Sequence, residues 1–210
     1  ILECVPNCSS RDQLGKAHDY SLYEYFKNKF GNEDSKGYQK ARKNFIESCA
    51  AYAVVSYILQ IKDRHNGNIL IDEEGHLIHI DFGFIFDISP AHNMKFERAA
   101  FKLTKEMIHI MGGPTTLEPY YQFIELTIRG FLAVRKKMDI ILHVCGIMYE
   151  SGMPCFMKSS MVNLKNRFYH EFNDRTASYK MLQHIIDARE KLTTNLYDKI
   201  QQLQNKIHYQ

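Results

Sequence analysis

Three oxygen-bearing side chains stand at fixed intervals near the middle of the chain: Asp63 and Asn68 are five residues apart, and Asp81 follows Asn68 by thirteen. Asp63 opens the polar run Asp63-Arg64-His65-Asn66-Gly67-Asn68, and Asp81 opens Asp81-Phe82-Gly83. Phosphoryl transfer to an alcohol needs these residue types. A group beside the attacking hydroxyl takes its proton, and oxygen ligands hold magnesium, which prefers carboxylate and amide oxygens. Asn68 and Asp81 have the oxygens. Either triplet alone would be a surface turn or chance; at their joint spacing they point to phosphotransfer.

The elements that must hold these residues can be read from periodicity. A helix from about Tyr38 to Gln60, apolar nearly all round after Phe45, has the pattern of a buried central helix and delivers the chain to the polar run. Ile69-Leu70-Ile71 and His76-Leu77-Ile78-His79-Ile80 flank Asp72-Glu73-Glu74-Gly75, which predicts a hairpin that ends at Asp81. Aromatics at Tyr20, Tyr23, Phe26 and Phe30 mark a core-facing helix stopped by Gly31. Residues 1 to 5 read as the end of a strand stopped by Pro6 and Asn7. A long loop, 84 to 102, follows the second motif, and loops of that length are usually functional. Further helices are expected at Leu103 to Met111, Glu118 to about Val134, Met138 to about Glu150, Val162 to Phe168, and from Ser178 onward.

The order Asp63-Arg64-His65 reverses the His-Arg-Asp of the protein-kinase template, whose metal-binding aspartate also sits in Asp-Phe-Gly. The run Ser48-x-Ala50, Val54 and Tyr57-Ile58-Leu59-x-Ile61-x-Asp63-Arg64-His65-x-x-Asn68 resembles the signature of the phosphatidylinositol 3- and 4-kinase superfamily. Lys62 to Ile69, the His76 to Phe84 stretch and Met153-Pro154-Cys155-Phe156 narrow the resemblance to type III phosphatidylinositol 4-kinases, over essentially the whole chain. Glu3 to Cys8 with Ser10 to Gly15 look alpha-like, whereas Phe101 to Thr104 and Leu192 to Asp198 look closer to beta; the balance leans to alpha.

The resemblance implies a mostly α fold with a small β-hairpin, the C-terminal lobe of a protein-kinase-like two-lobed (α+β) architecture. Residues 1–8 would be the hinge, 61–70 the catalytic loop, 81–105 the activation loop and 192–210 a terminal amphipathic helix. The implied cofactors are ATP and Mg2+, and the implied reaction moves the gamma-phosphate to the 4-hydroxyl of phosphatidylinositol. Asp63 and His65 would deprotonate or orient the hydroxyl in either assignment, with Arg64 a third catalytic residue between them, and Asn68 and Asp81 would hold the metal. The backbone of Glu3 and Val5 would meet the adenine edge above a floor of Leu70 and Ile80. A glycine-rich loop and a strand lysine, which the mechanism requires, are not in the sequence. The expectation is therefore that an N-terminal lobe is absent and that these residues alone are inactive.

The activation loop is expected to choose the substrate. From Phe84 to Leu103 it has Lys95, Arg98 and Lys102 against Asp87 and Glu97, a sparse set that favours an unphosphorylated inositol headgroup. Leu196, Ile200, Leu203 and Ile207 form one apolar face, suited to a membrane surface or to the domain's own helices. His76 and His79, three apart on a strand, point to opposite faces and read as structural. Arg135-Lys136-Lys137 reads as a solvated complement to a helix end, and Cys49 as packing.

The chain's 210 residues, 45% hydrophobic and 24% charged, suffice for one domain with a real core. A net charge of +3 does not suggest nucleic acid, and five cysteines without paired spacing suggest neither disulfides nor zinc. The longest apolar stretch is too short to span a bilayer. The expected location is cytoplasmic and peripheral on the plasma membrane or the endoplasmic reticulum and Golgi, with regulatory or scaffold proteins as further partners. Two rival readings are disfavoured: a related protein kinase, by Asn66-Gly67 and the lack of that family's terminal segment, and a pseudokinase scaffold, by the intact Asp63, His65, Asn68 and Asp81.

Overall fold

The apolar run after Phe45 becomes the axis of the fold. In a computed structural model, which describes residues 4–18, 21–89, 99–113 and 117–190, helix α3 spans Lys36–Leu59. Ser35 caps it by accepting the Tyr38 amide at 3.2 Å, and Gln60 ends it in the left-handed region at φ 53°. Its neighbours in chain order are strand β1 (Cys8–Ser10), helix α1 (Arg11–His18) and helix α2 (Leu22–Phe30) before it. After it come β2 (Ile69–Asp72), β3 (Leu77–His79), α4 (Lys105–Ile110), α5 (Glu118–Arg135), α6 (Met138–Glu150), α7 (Ser160–Arg167) and α8 (Asp174–Glu190).

Helix α5 lies along α3, with Phe123, Thr127 and Phe131 buried and Gly130 facing Val54. On its other side α8 buries Ala177, Met181, Ile185 and Ala188, one stripe at helical spacing. Phe26 of α2 sits among the rings of Phe30, Tyr38 and Phe45 at centroid distances of 5.1 to 6.3 Å, closing the core at the other end of α3. Ser21 and Glu24 form a capping box at the start of α2, and Gly31, at φ 94°, stops it as the sequence predicts.

The strands form one antiparallel sheet in the order β1-β2-β3, a three-stranded sheet where the sequence predicts only a hairpin. Ile69 pairs with His79 and Ile71 with Leu77, while Cys8 pairs with Asp72 and Ser10 with Leu70. The predicted strand before Pro6 is not found at Cys4 and Val5; the strand begins after Asn7, which turns the chain at φ 52°. Cys-Ser-Ser has no apolar alternation to betray it, because the exposed ladder of β2 supplies the bonds.

Helix α1 has no counterpart in the sequence reading either, since Leu14 is its one large apolar residue. Its signal is a capping box: Ser10 N–H donates to Gln13 Oε1 at 2.8 Å and Gln13 N–H to Ser10 Oγ at 3.1 Å. Arg11 fixes the helix in space through a bidentate pair with Glu106 of α4 at 2.9 to 3.1 Å. Helix α4 is capped by Thr104, α7 starts at Ser160 rather than Val162, and α8 starts at Asp174 rather than Ser178.

One surface reading is corrected. Arg135 is not a solvated helix-end charge; its guanidinium donates to the carbonyls of Phe168, Tyr169 and Phe172 and meets Asp174, tying α5 to the turn before α8. Cys49 is buried, as expected for packing. Among the described residues no helix is long and apolar enough to cross a membrane.

Candidate active site

After Gln60 the chain turns sharply, and four residues other than glycine adopt positive φ around the two motifs: Gln60 at 53°, Asp63 at 62°, Asp81 at 58° and Phe86 at 52°. Such conformations cost energy for side chains with a Cβ and persist where surrounding bonds enforce them. At Asp63 the enforcing bond is visible: Asn68 Nδ2 donates to the Asp63 carbonyl at 3.0 Å. A short 3-10 turn, Asn66–Asn68, then carries the chain into β2.

The hairpin brings the motifs together. Ile80 N–H donates to the Asn68 carbonyl at 3.1 Å, extending the ladder one step beyond the Ile69 and His79 pair, so Asp81 emerges beside Asn68. Gly75 makes the hairpin's turn at φ 89°, where a Cβ would lie 2.9 Å from Ala41. Asp81 is exposed, with Oδ1 accepting the Gly83 amide at 3.2 Å. Asp63 and Asn68 are buried by their neighbours.

Arg64 is almost wholly buried. Its guanidinium donates to the carbonyls of Lys62 at 2.9 Å, of Ile80 at 2.7 Å and of Asp81. It therefore staples one motif to the other. His65 Nδ1 accepts the Gly67 amide at 3.0 Å, and its Nε2 stands 3.9 Å from Asp63 Oδ2. That bond fixes the neutral ring with its proton on Nε2.

Leu70 and Ile80 lie on the half-buried side of the sheet with Ile78, opposite the buried Ile69, Ile71, Leu77 and His79. The alternation thus leaves an apolar face beside Asn68 and Asp81. Val5 is half-buried, and its carbonyl accepts the Cys8 thiol at 3.1 Å. Glu3, Lys95, Arg98 and the terminal helix expected at 192–210 lie outside the described residues. Lys102 is engaged with the catalytic loop, donating to Asn66 Oδ1 at 3.1 Å, where the sequence reading places it in the substrate loop.

His76 and His79 part company as predicted. His76 meets Asp72 at 2.8 Å on the rim, whereas His79 is buried and stacked on Tyr52 at 4.4 Å. Burial and the nearby charges of Arg64 and Lys102 lower the His79 pKa from 6.5 to about 3. A cleft of about 700 Å³ is lined by Tyr57, Gln60, Lys62, Arg167, His184 and Asp187 among others. None of Asp63, His65, Asn68 or Asp81 lines it.

Among the described residues no three His, Cys, Asp or Glu side chains gather as a cage for a metal. The donor set of Asn68 and Asp81, one amide and one carboxylate oxygen, instead fits an ion that takes its other ligands from phosphates and water.

A helical scaffold thus carries a three-stranded sheet, with Asp63, Asn68 and Asp81 gathered around the open end of its hairpin. Residues 3–158 match the family described as phosphatidylinositol 3- and 4-kinase, and the chain belongs to that family. It is 47% identical over its full length to phosphatidylinositol 4-kinase stt4 of Schizosaccharomyces pombe, covering 11% of that protein. It is 46% identical to phosphatidylinositol 4-kinase alpha 1 of Arabidopsis thaliana, with 99% of the chain and 10% of that protein covered. Against phosphatidylinositol 4-kinase beta of Xenopus laevis the identity is 43%, with 99% and 26% covered. The chain thus spans about a tenth of the length of these stt4 and alpha 1 relatives.

Proposed function

We propose that the chain is the C-terminal catalytic lobe of a phosphatidylinositol 4-kinase, which moves the gamma-phosphate of ATP to the 4-hydroxyl of phosphatidylinositol. The observation that carries this reading is the convergence of Asp63, Asn68 and Asp81 at the open end of the hairpin. The names of the relatives supply the lipid and the position of attack.

Asp63 is the proton acceptor for the inositol hydroxyl. His65 is a hydrogen-bond donor through Nε2, because its Nδ1 lone pair is already used by Gly67. Arg64 holds the two motifs in register through backbone carbonyls. Asn68 and Asp81 hold Mg2+, which when bound neutralises charge on the ATP phosphates. Leu70 and Ile80 form the floor beneath adenine, with the backbone of Glu3 and Val5 at its edge. Lys95 and Arg98 meet the headgroup, and Lys102 braces the catalytic loop.

The phosphate-covering glycines and pairing lysine belong to other parts of the longer protein, so these residues alone are inactive. The lobe meets the membrane peripherally, and regulatory or scaffold proteins act through other regions. The test is to incubate the full-length protein with labelled ATP and phosphatidylinositol vesicles and to chromatograph the deacylated product. A 4-phosphate is expected; a 3-phosphate, or label on protein alone, would reject the reading.

A further inference from the structure

We propose that Lys62 and Ser160 are positioning residues for the lipid headgroup, holding the root of the substrate loop from opposite sides. The inference rests on the lipid-kinase reading above and extends it to two residues outside the proposed catalytic and metal-binding set.

The root is the segment 84–88, which begins three residues after Asp81. On one side the end of α3 and the catalytic loop grip it. Lys62 N–H donates to the Phe84 carbonyl at 2.9 Å, and Phe86 N–H donates to the Leu59 carbonyl at 2.9 Å. The Lys62 ammonium donates to the carbonyl of Phe86 and, at 2.9 Å, to that of Ile88. On the other side stands the connection between α6 and α7. Asp87 N–H donates to the Cys155 carbonyl at 3.2 Å, the Ser160 hydroxyl donates to the Asp87 carboxylate, and Phe86 stacks on Phe156 at 4.7 Å.

Three features argue that these bonds set direction. Phe86 is buried at φ 52°, a conformation that a residue with a Cβ abandons without restraint. Lys62 binds carbonyls two residues apart, so one ammonium fixes the orientation of nearby peptide planes. Ser160 is 2% exposed, and its oxygen also accepts the Met157 amide at 2.6 Å, so the hydroxyl proton is left to point at Asp87. A hydrogen bond to a carboxylate is among the stronger kind. The root thus fixes the direction in which the chain leaves the catalytic loop at Ile88. The adenine floor of Leu70 and Ile80 lies on the hairpin, which the root does not touch through any of these bonds.

The consequence is a split in kinetic constants. In the full-length protein, Lys62→Met should raise the apparent KM for phosphatidylinositol in vesicles by about tenfold or more while leaving the KM for ATP within about twofold. Ser160→Ala should do the same in milder form. Lys62→Arg should recover part of the loss, since a guanidinium also donates to two carbonyls. The double variant should fall short of the product of the single effects, because both act on one segment.

Hydrogen exchange gives a readout independent of turnover: amides of residues 84–88 should exchange faster in Lys62→Met, with α3 and α5 unchanged. Equal rises in both KM values, or unchanged exchange at 84–88 in both variants, would overturn the proposal. A wild-type protein that does not phosphorylate the lipid at all would overturn the underlying reading and this inference with it. That failure is recognisable because it appears before any substitution is made.

Discussion

His79 offers a sharp test of the site's electrostatics. Its imidazole is buried between the hairpin and α3, stacked on Tyr52, with Nδ1 meeting no hydrogen-bond partner among the described residues. Burial, then the charges of Arg64 and Lys102, lower its pKa from 6.5 to about 3. Between those values the unfolded chain carries the proton and the folded chain does not, so stability is present above pH 6.5 and is lost as pH falls. From neutral pH to about pH 5 the linkage amounts to about 2 kcal/mol, a figure that any folded pKa below about 4 reproduces. The assay is denaturant unfolding at several pH values for the wild type and for His79→Phe, which keeps the ring against Tyr52. The difference in stability between the two should shift by about 2 kcal/mol across that range, with the wild type losing more on acidification. The His79 ring resonances should also stay unshifted down to about pH 4.5. Parallel pH profiles for the two proteins, or a ring titrating near its ordinary value, would refute the reasoning.

Three further substitutions probe the scaffold. Gly75→Ala should destabilise by about 1 to 3 kcal/mol in thermal or denaturant unfolding, because the new Cβ meets Ala41 at 2.9 Å and φ is 89°. Arg64→Lys should cost about 1.5 to 3 kcal/mol and lower kcat, since one ammonium cannot reproduce the three-carbonyl fork that joins Lys62, Ile80 and Asp81. Arg11→Met should cost about 3 to 5 kcal/mol by stranding the largely buried Glu106, and Arg11→Met with Glu106→Leu should recover much of that loss in a double-mutant cycle.

The strongly periodic elements were legible in the sequence because one physical effect dominates each. The apolar surface after Phe45 demanded a buried helix, and α3 spans Lys36–Leu59 against an expected 38 to 60. The hairpin around Gly75 followed from its flanking apolar runs. What escaped was fixed by partners distant in sequence. Strand β1 has no pattern of its own and exists because β2 has an edge to fill. Helix α1 carried a readable capping box at Ser10 and Gln13, but its position depends on Glu106, 95 residues away from Arg11. Arg135 looked like a charge at a helix end because the carbonyls it serves lie some 33 to 37 residues on. In the site, residue types and spacing pointed to Asp63, Asn68 and Asp81, whereas the bonding of Arg64, the tautomer of His65 and the engagement of Lys102 by Asn66 required three-dimensional neighbours.

The most direct measurement follows labelled phosphate from Mg-ATP onto phosphatidylinositol vesicles, using the full-length protein beside Asp81→Ala and Asp63→Asn. Phosphatidylinositol 4-phosphate formed by the wild type and lost by at least about a hundredfold in both variants, with the lipid still bound, is the predicted result. Lipid phosphorylation that survives either substitution near the wild-type rate would contradict the assignment of the site.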